Sequence, residues 1–405
     1  MNTPFHIMAK PSGSLCNLDC SYCFYLEKDK LYSDTKKWVM SKLVLENYIL
    51  KYIDSQNTST VTFAWQGGEP TLLGIDFYKQ AIKFQKKHAN GKRIENTFQT
   101  NGVLLNDEWC EFFAENNFLI GISIDGPDEF HNKYRMFKGG RSTHQMVEAG
   151  LKSLQKNNVE FNTLTCVHRE NAYHGKSIYK YLKDLGSSYI QFIPIVERID
   201  KTKKRDELKL SLPLKNDNAQ VSEWSVEPLR YGRFLSDVFD EWMKEDVGST
   251  FVQMFDITLE TWVTGRTSLC VFNETCGNAG VIEHNGDIYS CDHYVFPEYK
   301  LGNILQDKFE TLMHSDKQIE FGQNKKSSLT KYCEECEFKF ACWGDCPKHR
   351  FAYTPTEEYG LSYLCPSFKY YFAHVSKYMD FMTNELNNQR PPANVMKYNS
   401  QDPAK

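Results

Sequence analysis

No apolar run in this 405-residue chain approaches the ~20 residues that crossing a bilayer requires. Its first residues, Met1-Asn2-Thr3-Pro4-Phe5-His6, lack the basic start and long apolar core of a secretion signal. Surplus positive charge is missing too. The 48 Lys and Arg stand against 52 Asp and Glu, a formal net charge of -4, which gives no argument for nucleic acid or an anionic membrane surface as a partner. The expectation from these absences is a cytoplasmic protein. The length exceeds the size at which one core usually stops growing, so two domains are expected.

Cysteine is what the chain has in excess. Thirteen are too many for a reduced cytoplasmic protein unless most are ligands. Cys16, Cys20 and Cys23 form one group, and eight more follow: Cys270, Cys276, Cys291, Cys333, Cys336, Cys342, Cys346 and Cys365. Three plus eight fits one three-cysteine site and two four-cysteine sites. Cys110 and Cys166 stand apart in apolar contexts and read as buried small hydrophobes.

The first group has the spacing C-x3-C-x2-C, just after a short apolar segment. A cubane iron–sulfur cluster has four irons, each normally taking one thiolate, so three thiolates leave one iron open. An open coordination position is what catalytic metal sites keep and structural sites close. Spacing alone also admits zinc, both here and for the eight later cysteines, which could hold two zinc ions or two clusters.

From residue 5 to about 194 strand-like and helix-like segments alternate. Strands are expected at 5–10, 61–65, 94–100, 119–124, 160–167 and 189–195, with amphipathic helices at 42–52, 77–88, 107–116, 143–156 and 177–185. Gly186 follows the last of these where a C-cap glycine belongs. Six such alternations imply parallel strands joined by crossovers, in number a partial rather than a full α/β barrel. In such folds ligands sit at the carboxyl ends of the strands. There the chain places Gln66-Gly67-Gly68-Glu69-Pro70, Gln99-Thr100-Asn101-Gly102 and Ser123-Ile124-Asp125-Gly126-Pro127, followed by His131 and Arg135. Each alone is ordinary turn chemistry, but three at successive strand ends converge on one mouth.

Residues 197–224 carry a charge run, Lys201 to Glu207, and read as a solvated connector or a substrate-facing loop. Helices are expected at 229–244 and 251–264, and a hairpin at 281–289 turning on Asn285-Gly286.

Together these residues resemble the radical S-adenosylmethionine (SAM) superfamily with its SPASM extension, and within it the anaerobic sulfatase-maturating enzymes. The three-cysteine loop with Tyr22, Gly-Gly-Glu-Pro, the segments at 99–102 and 123–127, and Cys291-Asp292 carry the likeness. It implies a partial (β/α)6 TIM-like barrel followed by a small cysteine-rich SPASM domain with two auxiliary 4Fe–4S clusters. It implies that Cys16, Cys20 and Cys23 hold the cluster that binds SAM, with Tyr22, Gly67, Ser123, Arg135 and Val196 contacting SAM. One auxiliary cluster would take Cys270, Cys276, Cys291 and Cys346, the other Cys333, Cys336, Cys342 and Cys365. The implied reaction is oxidation of a sulfatase Cys or Ser to Cα-formylglycine through a 5′-deoxyadenosyl radical, with Asp292 as base. The implied partners are an unfolded sulfatase segment and an external one-electron donor of flavodoxin or ferredoxin type.

The expected division is a barrel over 1–228 (197–228 as connector), a helical linker over 229–269, the SPASM domain over 270–386 and a disordered tail over 387–405. Two rival readings are a SPASM maturase forming thioether or carbon–carbon links in a small peptide, and a zinc-stapled binding module without catalysis.

Overall fold

The computed structural model describes residues 4–32, 38–204, 207–211 and 215–400. Six parallel strands form its centre: β1 (His6–Lys10), β2 (Thr60–Trp65), β3 (Arg93–Thr100), β4 (Phe118–Ser123), β5 (Phe161–Val167) and β6 (Tyr189–Pro194), paired in chain order. The crossovers contain α1 (Lys42–Ser55), α2 (Ile75–His88), α3 (Asp107–Glu115), α4 (Asp128–Tyr134), α5 (His144–Lys156) and α6 (Gly175–Asp184). Local chemistry sets their ends. Ser41 caps α1 by accepting from the Val44 N–H, and Asn106 caps α3 by accepting from the Trp109 N–H. This is the expected partial (β/α)6 barrel.

The sheet does not stop at six strands. The hairpin β7 (Arg198–Asp200) and β8 (Ala219–Val221) stands apart from it, while β9 (Phe251–Val252) pairs parallel with β6. Residues 251–252, expected to open a helix, are therefore strand. The Phe251 N–H donates to Ser188 O at 2.8 Å and its ring stacks on Tyr189, so the helix that follows, α8 (Gln253–Thr264), begins only after the strand. On the other edge β10 (Ala279–Glu283) pairs parallel with β1, from His6 opposite Ala279 to Lys10 opposite Glu283. Strands β11 (Asp287–Tyr289) and β12 (Lys300–Asn303) follow antiparallel. The cysteine-rich region thus adds three strands to the barrel's own sheet, and the register of β10 on β1 fixes where the turn after β11 begins, with Tyr289 level with Met8.

Helix α7 (Arg230–Glu245) and the long helix Cys365–Asn387 pack together over α8, burying Phe234, Phe239, Phe255, Tyr371, Phe372, Val375 and Met379 in a core continuous with that of the barrel.

Two expectations change. The connector is a hairpin tied down at several points: Glu27 accepts the N–H groups of Lys209 and Leu210, and Glu197 ion-pairs with Lys348. Arg205 and Asp206 of its charge run lie outside the described residues. The tail expected to be disordered from 387 is ordered onward, because Val395 is fully buried and Glu385 gathers Arg390 and Asn394. Residues 401–405 lie outside the described residues.

Candidate functional site

The carboxyl ends of the barrel strands open on one cavity of about 530 Å³. The three-cysteine loop forms part of its wall, and Cys16, Cys20 and Cys23 all line it. The Gly-Gly-Glu-Pro segment straps that loop to the sheet. The Gln66 N–H donates to Ala9 O at 2.9 Å, Gly68 N–H to Gly13 O at 2.7 Å and Glu69 N–H to Leu15 O at 2.8 Å. A Cβ on Gly68 would lie 2.1 Å from the Leu15 carbonyl oxygen, so only glycine admits this approach. Gly68 therefore seats the cysteine loop, while Gly67 and Gly68 both line the cavity.

Glu69 completes the brace. It is fully buried, and its carboxyl accepts from Thr71 N–H (3.0 Å), Thr71 Oγ1 (2.6 Å), Thr100 Oγ1 (2.8 Å) and the Asn101 N–H (2.7 Å). Burial pushes its pKa up, more strongly than these bonds pull it down. Asn101 Nδ2 in turn donates to Asn17 Oδ1 at 2.8 Å, so the ends of β2 and β3 are both tied to the loop between Cys16 and Cys20.

At the end of β4, Tyr22 donates to the buried Asp125 Oδ2 at 2.5 Å, and Arg135 Nη1 donates to the Tyr22 oxygen at 2.8 Å. Burial raises the pKa of Asp125, with the Arg135 charge working against it. His131 Nδ1 accepts the Asp125 N–H at 3.3 Å, and burial holds this imidazole neutral, its pKa well below the ordinary value. Arg135 lines the cavity with its Nε buried and without a hydrogen-bond partner. That leaves a cationic donor available to an anionic ligand.

Asp292 enters from the other side, on the turn following β11. Its Oδ1 lies 2.8 Å from Nζ of Lys10, the last residue of β1, and the Lys10 side chain is 1% exposed. Lys10 also donates to Gln66 Oε1 at 2.7 Å and sits over the Tyr25 ring at 4.3 Å. Burial pushes the Asp292 pKa up, but the charges around it, Lys10 first and Lys348 after it, outweigh it and hold the carboxyl below the usual range. His293 stacks on Phe24 at 5.0 Å, and burial lowers its pKa to about 3, so the ring is neutral.

Ten residues singled out from sequence line this cavity: Cys16, Cys20, Cys23, Tyr22, Gly67, Ser123, Arg135, Cys270, Asp292 and Cys346. Val196 has its side chain in the hydrophobic core, 2% exposed, between the cavity-lining Ile195 and Glu197. Cys333, Cys336, Cys342 and Cys365 line a separate pocket. Cys276 and Cys291 lie within electrostatic reach of Cys270, and Cys291 also of Cys346. Cys110 is fully buried, as expected, but Cys166 is not a core residue. It sits near the end of β5 and lines the cavity, its N–H held by Asp125 Oδ1 at 3.0 Å. Sequence reasoning also missed Lys10; a lysine closing an apolar strand was the available signal.

The residues fit iron–sulfur clusters. All thirteen thiols are free. Among the described residues no three His, Cys, Asp or Glu side chains are close enough to share one metal ion. A cubane presents its irons at separate corners, so each thiol need reach only one. Burial pushes Cys16 up to about 12 and Cys20 higher, so binding must displace their protons.

Residues 11–182 match the family model of the radical SAM superfamily, and residues 265–337 that of the SPASM iron–sulfur cluster-binding domain. Fold and site thus define a radical SAM protein with an appended cluster-binding region. A serine-type anaerobic sulfatase-maturating enzyme of Bacteroides thetaiotaomicron is 49% identical over 394 residues, covering 97% of this chain and 95% of the relative. A cysteine-type enzyme of Clostridium perfringens is 33% identical over 374 residues, 92% of this chain and 96% of the relative. The solved structure of native anSMEcpe with bound AdoMet and Cp18Cys peptide superposes with a TM-score of 0.82 at 32% identity, covering 95% of this chain and all of that one. The chain belongs to the anaerobic sulfatase-maturating enzymes. Among the described residues no helix is long and apolar enough to cross a membrane.

Proposed function

We propose that the protein oxidises a Ser or Cys side chain in a sulfatase polypeptide to Cα-formylglycine. The observation that carries this reading is the meeting of Asp292 and the three-cysteine loop on one cavity large enough for SAM and a peptide side chain. The 49% likeness to a serine-type enzyme supports serine as a substrate residue.

We assign Cys16, Cys20 and Cys23 to the first cluster, Cys270, Cys276, Cys291 and Cys346 to one auxiliary cluster, and Cys333, Cys336, Cys342 and Cys365 to the other. Tyr22, Gly67, Ser123 and Arg135 are assigned to SAM. Val196 is left to backbone contact, since its side chain is in the core. When bound, SAM and the clusters supply the radical that takes a hydrogen atom from the substrate β-carbon and an outlet for one electron.

The chain's own residues do the rest. Arg135 offers its unpartnered Nε to an anionic group. Asp292, held ionised by Lys10, takes the proton of the substrate hydroxyl or thiol. Removal of a hydrogen atom, a proton and an electron leaves an aldehyde from Ser, or a thioaldehyde from Cys that water converts with loss of hydrogen sulfide. An external donor of flavodoxin or ferredoxin type supplies the starting electron, and thirteen free thiols suit the reducing cytoplasm.

Anaerobic incubation with Ser- and Cys-containing sulfatase peptides, read by mass spectrometry, tests the proposal. Loss of two hydrogens from the Ser peptide is expected. A thioether or carbon–carbon link in its place assigns the chain to peptide cross-linking.

A further inference from the structure

Two buried cations lie where the auxiliary cysteine sets meet. Lys325 is fully buried and donates to three carbonyl oxygens of the loop that starts at Cys270: Cys270 O at 2.9 Å, Val271 O at 2.8 Å and Asn273 O. Arg350, 9% exposed, donates to Lys325 O at 2.6 Å, Trp343 O at 2.7 Å, Gly344 O at 2.8 Å and Asp345 O at 3.1 Å. The last three residues are consecutive and all left-handed, with φ of 44°, 68° and 60°. Two of them are not glycine, a conformation that needs support. The guanidinium gives it by gathering their carbonyls.

That turn joins Cys342, of one proposed set, to Cys346, of the other. Electrostatically, Lys325 reaches Cys276 and Cys346, and Arg350 reaches Cys333, Cys342 and Cys346. Asp345, bonded to His349 and Ser362, offsets part of the charge.

Three bonds from one arginine would suffice to shape the turn. A buried lysine spent on three neutral carbonyls needs a further reason, because burying an ammonium without an anion is costly. Two thiolate-ligated clusters are that anion. We propose that Lys325 and Arg350 form a positive bracket between the auxiliary sites, raising the reduction potentials of both clusters so that the electron leaving the substrate radical is accepted and passed on to an external one-electron acceptor. This rests on the reading of the eight later cysteines as ligands of two clusters.

Anaerobic redox titration followed by electron paramagnetic resonance tests it, with iron and sulfide counted in each sample. In Lys325→Met, with iron and sulfide unchanged, the auxiliary equilibrium should shift at least tenfold towards the oxidised form, about 59 mV for one electron. Lys325→Arg should stay within threefold of the parent. Should Lys325→Met shed iron, Arg350→Gln is the second probe, and it must lower the potential of the cluster on the Cys333 set. A fully loaded neutral variant with unchanged potentials, or equal shifts in Lys325→Met and Lys325→Arg, overturns the bracket and leaves a structural clamp. A parent protein with only about four irons, where three cubanes require about twelve, overturns the two-cluster reading itself.

Discussion

Lys10 and Asp292 stand 2.8 Å apart although one closes the first strand and the other lies in the cysteine-rich region. Parallel pairing of β10 on β1 sets Lys10 opposite Glu283; antiparallel β11 then runs back along β10, with Tyr289 opposite Val281, and the turn that follows it brings Asp292 to the Lys10 side chain. Asp292, the proposed base, and the three-cysteine loop therefore share a rigid frame, and a side chain entering the cavity meets both.

Replacing Asp292 by Asn removes the proposed proton acceptor but keeps the shape. SAM cleavage should continue, because the partner of Asp292 is Lys10 and not a residue assigned to SAM, while aldehyde formation should fall by about 10²–10⁴-fold. Parallel quantification of 5′-deoxyadenosine and formylglycine checks this. Full aldehyde yield would remove Asp292 from the role.

Lys10→Met changes the pH dependence. In the parent the Asp292 carboxyl titrates below its usual range, so its ionised form contributes stability above the unfolded pKa, and this is lost as pH falls through the lower folded pKa. The base is thus ionised throughout an assay range of about pH 5–8. With the cation gone and burial remaining, the pKa rises, and an acid limb should enter that range in the yield of aldehyde per SAM cleaved. Breaking a buried pair should also cost about 3–5 kcal/mol of stability, readable by thermal melting. An unchanged profile would mean that Lys10 does not govern the base.

Strand and helix positions were legible because burial alternates along strands such as β2 and β3 and recurs at helical spacing along the crossovers. Ile7 and Ala9, or Val61, Phe63 and Trp65, face inward and are fixed by their neighbours in sequence. Three features were not legible. Phe251 and Val252 belong to the sheet only because β6 presents an open edge, a tertiary fact. Cys166 sits in an apolar run, and which face of β5 turns to the cavity follows from barrel curvature. The interleaving proposed for the auxiliary sets follows the left-handed turn at Trp343–Asp345, which puts Cys342 and Cys346 on different cavities; cysteine spacing alone does not imply it.

Gly68→Ala tests whether the strap seats the first cluster. A methyl group 2.1 Å from the Leu15 oxygen has to push the cysteine loop away from the turn that follows β2, since the obstacle is backbone and cannot rotate aside. Iron should fall by about four of about twelve per chain, and SAM cleavage with it, while the auxiliary signals persist. Retention of all iron would show that the loop tolerates the displacement.

The cysteines outside the auxiliary sets should separate into three behaviours. Cys16→Ala removes a proposed ligand, so SAM cleavage should vanish. Cys110→Ala deletes a sulfur from the core of α3, where it is fully buried, and should cost about 1 kcal/mol of stability with cleavage and iron intact. Cys166 is the informative case, because it faces the same cavity as the ligands yet stands on a strand rather than on their loop. Burial pushes its thiol up to about 12, as it does that of Cys16, so the two are told apart by place and not by acidity. Cys166→Ala should therefore retain every iron. It should still alter the binding of SAM, because the sulfur packs beside Tyr22, whose hydroxyl links Asp125 to Arg135. A raised KM for SAM with full iron content is the expected signature. Loss of iron from this variant would make Cys166 a fourth protein ligand and would close the open iron on which the proposed chemistry depends.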